Sequence, residues 1–91
     1  MPYQILIEEQ RSRQQHFELR TEILPDVHGS VETAQRVAYR LAYDHVPKHP
    51  RVLKGRTVFR ASPNHYIVRV QGMTGQFGFT VRVCEQLPEA G

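Results

Sequence analysis

A single cysteine, Cys84, leaves no partner for an internal disulfide, and no apolar run exceeds three residues, as in Ile5-Leu6-Ile7. A helical membrane span needs roughly 20 apolar residues, so the sequence excludes one, and a reducing, cytoplasmic setting is expected. The start, Met1-Pro2-Tyr3-Gln4, has no basic segment, and Glu8-Glu9 closes the apolar stretch early, which argues against a secretory leader. Internal repeats, low-complexity stretches and a second domain are also lacking. What remains is a chain of 91 residues, 40% hydrophobic and 23% charged, the composition of one small folded domain over 1–91 with a flexible tail at 87–91.

Acid is scarce in one half. Residues 36–82 hold nine bases (Arg36, Arg40, Lys48, Arg51, Lys54, Arg56, Arg60, Arg69, Arg82) against Asp44 alone, a net charge of +8 over 47 residues. Residues 1–26 hold three arginines against five acids. Segregation of this size sets up a field that draws anions. Arginine outnumbers lysine ten to two, which suits bidentate phosphate or carboxylate contacts and also matches the codon bias of a GC-rich genome.

Period-two alternation predicts strands over Tyr3–Glu8 and His16–Leu24, joined by a polar connection at 9–15 into a hairpin. Pro25 to Gly29 breaks the pattern, and Ser30 is a good N-cap. Val31, Ala34, Ala38, Leu41, Ala42 and His45 then follow helical spacing, while Gln35, Arg36, Tyr39, Arg40 and Tyr43 occupy the other side. This predicts a helix from Ser30 to His45, stopped before Pro47. A stiff basic linker follows, then strands over Arg56–Ala61, His65–Gln71 and Phe77–Cys84, with turns at Ser62-Pro63-Asn64 and Gly72–Gly75. The fold class is α+β, in the order β-β-α-β-β-β, with one helix on one face of a largely antiparallel sheet. Sequence leaves the strand order open: the third strand can pair beside either of the first two or stand at an edge.

Alternation also divides each strand into sides. Placing Phe59 inside with Thr57 and Ala61 sends Arg56, Val58 and Arg60 outward. The next strands put Tyr66, Val68, Val70, Phe77, Phe79, Val81 and Val83 inside. Arg69 and Arg82 then join Arg56 and Arg60 in a basic stripe on the open sheet surface. The expected core comprises Ile5, Ile7, Phe17, Leu19, Leu41, Phe59, Val68, Phe79 and Val81.

Catalytic or cofactor chemistry finds no constellation. His45 and His49 have a ligand-like spacing to which Cys84 could add, but Pro47 breaks the helix between them and no acid pair completes a metal site. His65 reads as a polar turn residue. Glu8-Glu9 and Glu18/Glu22 are pairs by sequence alone, on the outward faces of strands. Gly72, Gly75 and Gly78 have phosphate-loop spacing but lead into a strand, so they read as turn and bulge glycines. No exposed aromatic pair of the kind that stacks bases on RNA-binding sheets is apparent, because Phe77 and Phe79 fall with the core. No enzyme, cofactor or metal is implied.

The expected function is therefore binding. Lys48, Arg51, Lys54, Arg56, Arg60, Arg69 and Arg82 are the candidate contacts to a nucleic-acid backbone, through the outer sheet face and the 48–56 linker. The competing expectation is an interaction or regulatory module of the inhibitor, adaptor or immunity type. Its partner would be an acidic protein or a second copy, docked at a strand edge or the helix tyrosines.

Overall fold

The computed structural model describes residues 2–13, 16–47, 55–71 and 76–89, with side chains described for all of these except 11–13, 16–18 and 76. Five strands and one helix follow in the expected order: β1 (Tyr3–Arg13), β2 (His16–Ile23), α1 (Val31–Asp44), β3 (Gly55–Ser62), β4 (His65–Gln71) and β5 (Gln76–Glu85). They form one antiparallel sheet in the order β2-β1-β5-β4-β3. The strand after the helix thus stands at the far edge, and the last strand in the chain occupies the centre. Among the described residues, no helix is long and apolar enough to cross a membrane.

Glu9 to Arg13, a connection by sequence, belong to β1. Glu9 is paired on one side with Arg20 and on the other with Phe79, and the ladder to β2 runs on to Arg13 opposite His16. Main-chain hydrogen bonds from both neighbours hold a segment whose polar side chains give no alternation to read. The turn at Ser62-Pro63-Asn64 is as expected, with the Asn64 amide donating to Ser62 Oγ at 3.1 Å. A register shift between Arg60 and Ser62 marks the irregularity of this hairpin. Gly72 and Gly75 lie outside the described residues. Gly78 is not at a bulge, because β4 and β5 pair there without a shift. A Cβ at Gly78 would come within 3.0 Å of the Val68 carbonyl oxygen, so crowding is the reason for glycine.

Local chemistry fixes both helix ends. Ser30 Oγ accepts from the Thr33 amide at 3.2 Å, and Glu32 stands in the first turn, where its charge complements the helix dipole. At the other end the His45 amide donates to Leu41 O at 2.8 Å before the backbone turns extended. The small side chains of Ala34, Ala38 and Ala42 let α1 lie close on the sheet, sealing Ile5, Ile7, Tyr66, Val68, Val70, Phe79 and Val81 beneath it. Leu41 packs at the margin of this core. The helix touches β5, β4, β1 and β3, but among the described residues it makes no contact with β2.

Both edge strands differ from the sequence reading. The register Leu6↔Ile23, Glu8↔Thr21 and Gln10↔Leu19 puts Leu19 and Ile23 on the face away from the helix. There they are 53% and 60% exposed. The side chain of Phe17 is not among those described. In β3 the sides are exchanged: Val58 packs toward the core with Arg56 and Arg60 beside it, while Thr57, Phe59 and Ala61 face outward. Phe59 is 48% exposed. Alternation tells which residues share a side, and only coverage decides which side is buried. The helix settles that for the three central strands. At β3 it offers mainly its tyrosine flank, against which long side chains with polar tips can pack.

Candidate nucleic-acid interface

Exchange of sides in β3 divides the expected stripe. Arg69 and Arg82 are on the open face and exposed, as expected. Arg56 and Arg60 are on the helix side, so the four arginines do not form one surface. Lys48, Arg51 and Lys54 lie outside the described residues.

Arg56 has a structural task. Its Nη1 donates to the Ala42 carbonyl at 3.0 Å and its Nη2 to the His45 carbonyl at 2.8 Å. These are orphan acceptors at the end of a helix whose last turn has no basic residue of its own. The guanidinium also lies 5.7 Å from the centre of the Phe79 ring. A positive charge at the carbonyl end of α1 is favourable, and β3 supplies it from outside the helix. Beside it, His45 Nε2 is 3.1 Å from Glu9 Oε2 and the His45 ring stands edge-on to Phe79, 4.9 Å between centroids. Glu9 is therefore on the helix face and not outward. His49 lies outside the described residues. Among those described, no three His, Cys, Asp or Glu side chains gather as a metal site would require.

Arg60 belongs to a different cluster. Its guanidinium carbon is 5.7 Å from the Tyr39 ring centre and 5.6 Å from that of Tyr66, and it remains exposed. Tyr39 stacks edge-on to Tyr66 at 5.9 Å and tilts against Tyr43 at 5.2 Å. Along α1, Arg36, Tyr39, Arg40 and Tyr43 stand at i, i+3, i+4 and i+7, so they form one exposed strip. Arg60 extends that strip onto β3. Among the described residues, none of Arg36, Arg40 and Arg60 forms an ion pair with a carboxylate. Glu32 stands one turn before Arg36 at the start of the helix. The phenol of Tyr43 is held above its ordinary value, chiefly by Tyr39, with Arg60 pulling the other way. Tyr43 is therefore neutral at physiological pH, and the charge of the strip comes from guanidinium groups.

Helical spacing places Arg36, Tyr39, Arg40 and Tyr43 on the solvent side of α1, while their link to Arg60 depends on the side taken by β3. The spacing was a usable signal. The side taken by β3 was not.

On the open face, His65 pairs directly with Arg82 and Glu8 with Thr80. His65 is thus a strand residue, and its imidazole is held below its ordinary value, first by burial and then by Arg82, with Glu8 opposing. Exposed Leu19, Ile23, Phe59 and Ile67 flank this polar centre. Comparison with known proteins adds no relative: no family model, curated protein or solved structure matches the chain.

Proposed function

We propose that the chain is a small, non-catalytic, cytoplasmic protein that binds nucleic acid through the flank formed by α1 and β3. The observation that carries this reading is Arg60 lying over Tyr39 and Tyr66, in line with Arg36, Arg40 and Tyr43. Guanidinium groups interleaved with exposed rings suit a single-stranded ligand. The arginines meet phosphates, and the rings offer stacking surfaces of about 1–3 kcal/mol per base whatever the base. Three further bases, Lys48, Arg51 and Lys54, fall in the sequence between α1 and β3.

A titration of labelled oligo(dT) and oligo(U) at about 50 mM salt tests it. Micromolar protein should shift both, with affinity falling steeply as salt rises. The double variant Arg36→Glu/Arg60→Glu should weaken binding to both and reduce the salt slope by about two. Tyr39→Ala should weaken binding while leaving the slope unchanged. Arg69→Glu, one reversal on the opposite face, is the comparison for net charge and, measured at dilutions where the chain is a monomer, should have a smaller effect than Arg60→Glu. Absence of any shift removes the reading, and a larger effect of Arg69→Glu moves the site to the open face.

A second reading, a protein-interaction module, is favoured by a separate observation, the exposed apolar side chains of the open face.

A further inference from the structure

The face of the sheet away from α1 has no described element packed on it, yet its side chains are not those of a solvated surface. Leu19, Ile23, Phe59 and Ile67 are 53%, 60%, 48% and 41% exposed, and half-buried Leu6 and Cys84 lie between the flanks. These apolar side chains form two flanks, Leu19 and Ile23 on β2 and Phe59 paired with Ile67 across β3 and β4, on either side of a polar centre. The Thr80 hydroxyl at that centre is buried and, among the described residues, has no hydrogen-bond partner.

The distribution of charge says what fits. On the β2–β1 half, the outward residues with described side chains are Gln4, Leu6, Glu8, Gln10, Leu19, Thr21 and Ile23, so Glu8 is the one charge. The half formed by β5, β4 and β3 presents Arg82, Arg69 and His65, with no acid among its described outward residues. Such a face is complementary to itself. Turned about a twofold axis running along the strands between β1 and β5, one copy lays its acidic half on the basic half of the other, and the contact occurs twice. That axis lays β1 on β5 and β2 on β4, so four strands about 4.8 Å apart, over six to eight residues at about 3.3 Å each, give a footprint near 450 Å². This is below the roughly 800 Å² per partner of a stable complex, the size of a weak, concentration-dependent pair whose register the charges set.

We infer that the occupant of the open face is a second copy of this chain, stacked sheet on sheet as an isologous dimer with Glu8 of each copy against Arg69 and Arg82 of the other. This surface lies on the other side of the sheet from the α1–β3 flank, so the inference stands apart from the nucleic-acid reading. A dimer would carry two such flanks, facing away from each other.

Sedimentation velocity without nucleic acid tests it. The wild type should sediment at about twice the 10.6 kDa chain mass at tens of micromolar. Glu8→Arg alone, and Arg69→Glu/Arg82→Glu alone, should each dissociate, with Kd raised about tenfold or more, because like charges then face each other. Mixed one to one, the two variants should dimerise again, since each supplies the sign that the other lost. Pairing between Glu8 and the arginines within one chain cannot produce that rescue. Ile67→Lys, at an exposed position, provides a dissociating variant that leaves all three charges in place, and circular dichroism establishes that every variant is folded. A wild type that is monomeric at hundreds of micromolar overturns the inference. So does a folded pair of charge variants that stays monomeric on mixing.

Discussion

On the helix side of the sheet, Ile5, Ile7, Val68, Phe79 and Val81 are sealed beneath three alanines of α1, while on the opposite side Leu19, Ile23, Phe59 and Ile67 meet solvent. Both faces carry large apolar residues, and among the described residues only one has a cover. The covered face is also where the arginines are engaged: Arg56 on helix carbonyls, Arg60 on tyrosine rings. Arg69 and Arg82 on the open face are exposed. Hydrophobicity in a sequence thus marks two kinds of site, those that the chain covers itself and those left for another molecule.

The largest expected difference between the faces comes from two phenylalanines. Phe79→Ala removes a fully buried ring beneath α1 and should cost about 3–5 kcal/mol, a large fraction of the stability of so small a domain. Phe59→Ala, at dilutions where the chain is a monomer, should cost under about 1 kcal/mol. Urea melts of the two variants decide the matter, and equal losses would mean that Phe59 is covered after all.

Two arginines give the next contrast. Arg56→Ala strips the end of α1 of two charged hydrogen bonds and should destabilise by about 1–3 kcal/mol. Arg69→Ala, again at dilutions where the chain is a monomer, should stay within about 0.5 kcal/mol. Hydrogen exchange at the last turn of α1 should speed up in the first variant alone.

A smaller effect is expected with pH. His65 has its folded pKa lowered by burial and Arg82, so the unfolded chain binds the proton more tightly. That contribution to stability is complete above the unfolded value of about 6.5 and is lost as pH falls through it toward the folded value. His65→Gln should flatten the decline in melting midpoint between pH 7.5 and 5.5. An unchanged slope would place the responsible proton elsewhere.

Legibility in the sequence followed the same division. Element order, the Ser30 cap and the central core (Ile5, Ile7, Val68, Phe79, Val81) were readable, because a strand flanked by two others and roofed by a helix has one workable orientation. Leu19 and Phe59 were misplaced because an edge strand gains little from either face, and alternation carries no information about sign. The orientation of β3 decides the site: an inward Phe59 sends Arg56 and Arg60 outward, and an outward Phe59 brings both to the helix side. Cation–π stacking and helix capping, which reverse the choice, involve partners far along the chain and leave no local pattern.

β5 lies between β1 and β4, and every other element precedes it in the chain. Until it arrives, the sheet is two separate hairpins, β1–β2 and β3–β4, with α1 between them in the chain, and a two-stranded hairpin is marginally stable in water. The step that joins them closes a loop from β1 to β5 and sets most of the core at once. Assembly should therefore be all-or-none and slow for the size of the domain, on the order of milliseconds to seconds, because the longest closure must precede the burial that rewards it.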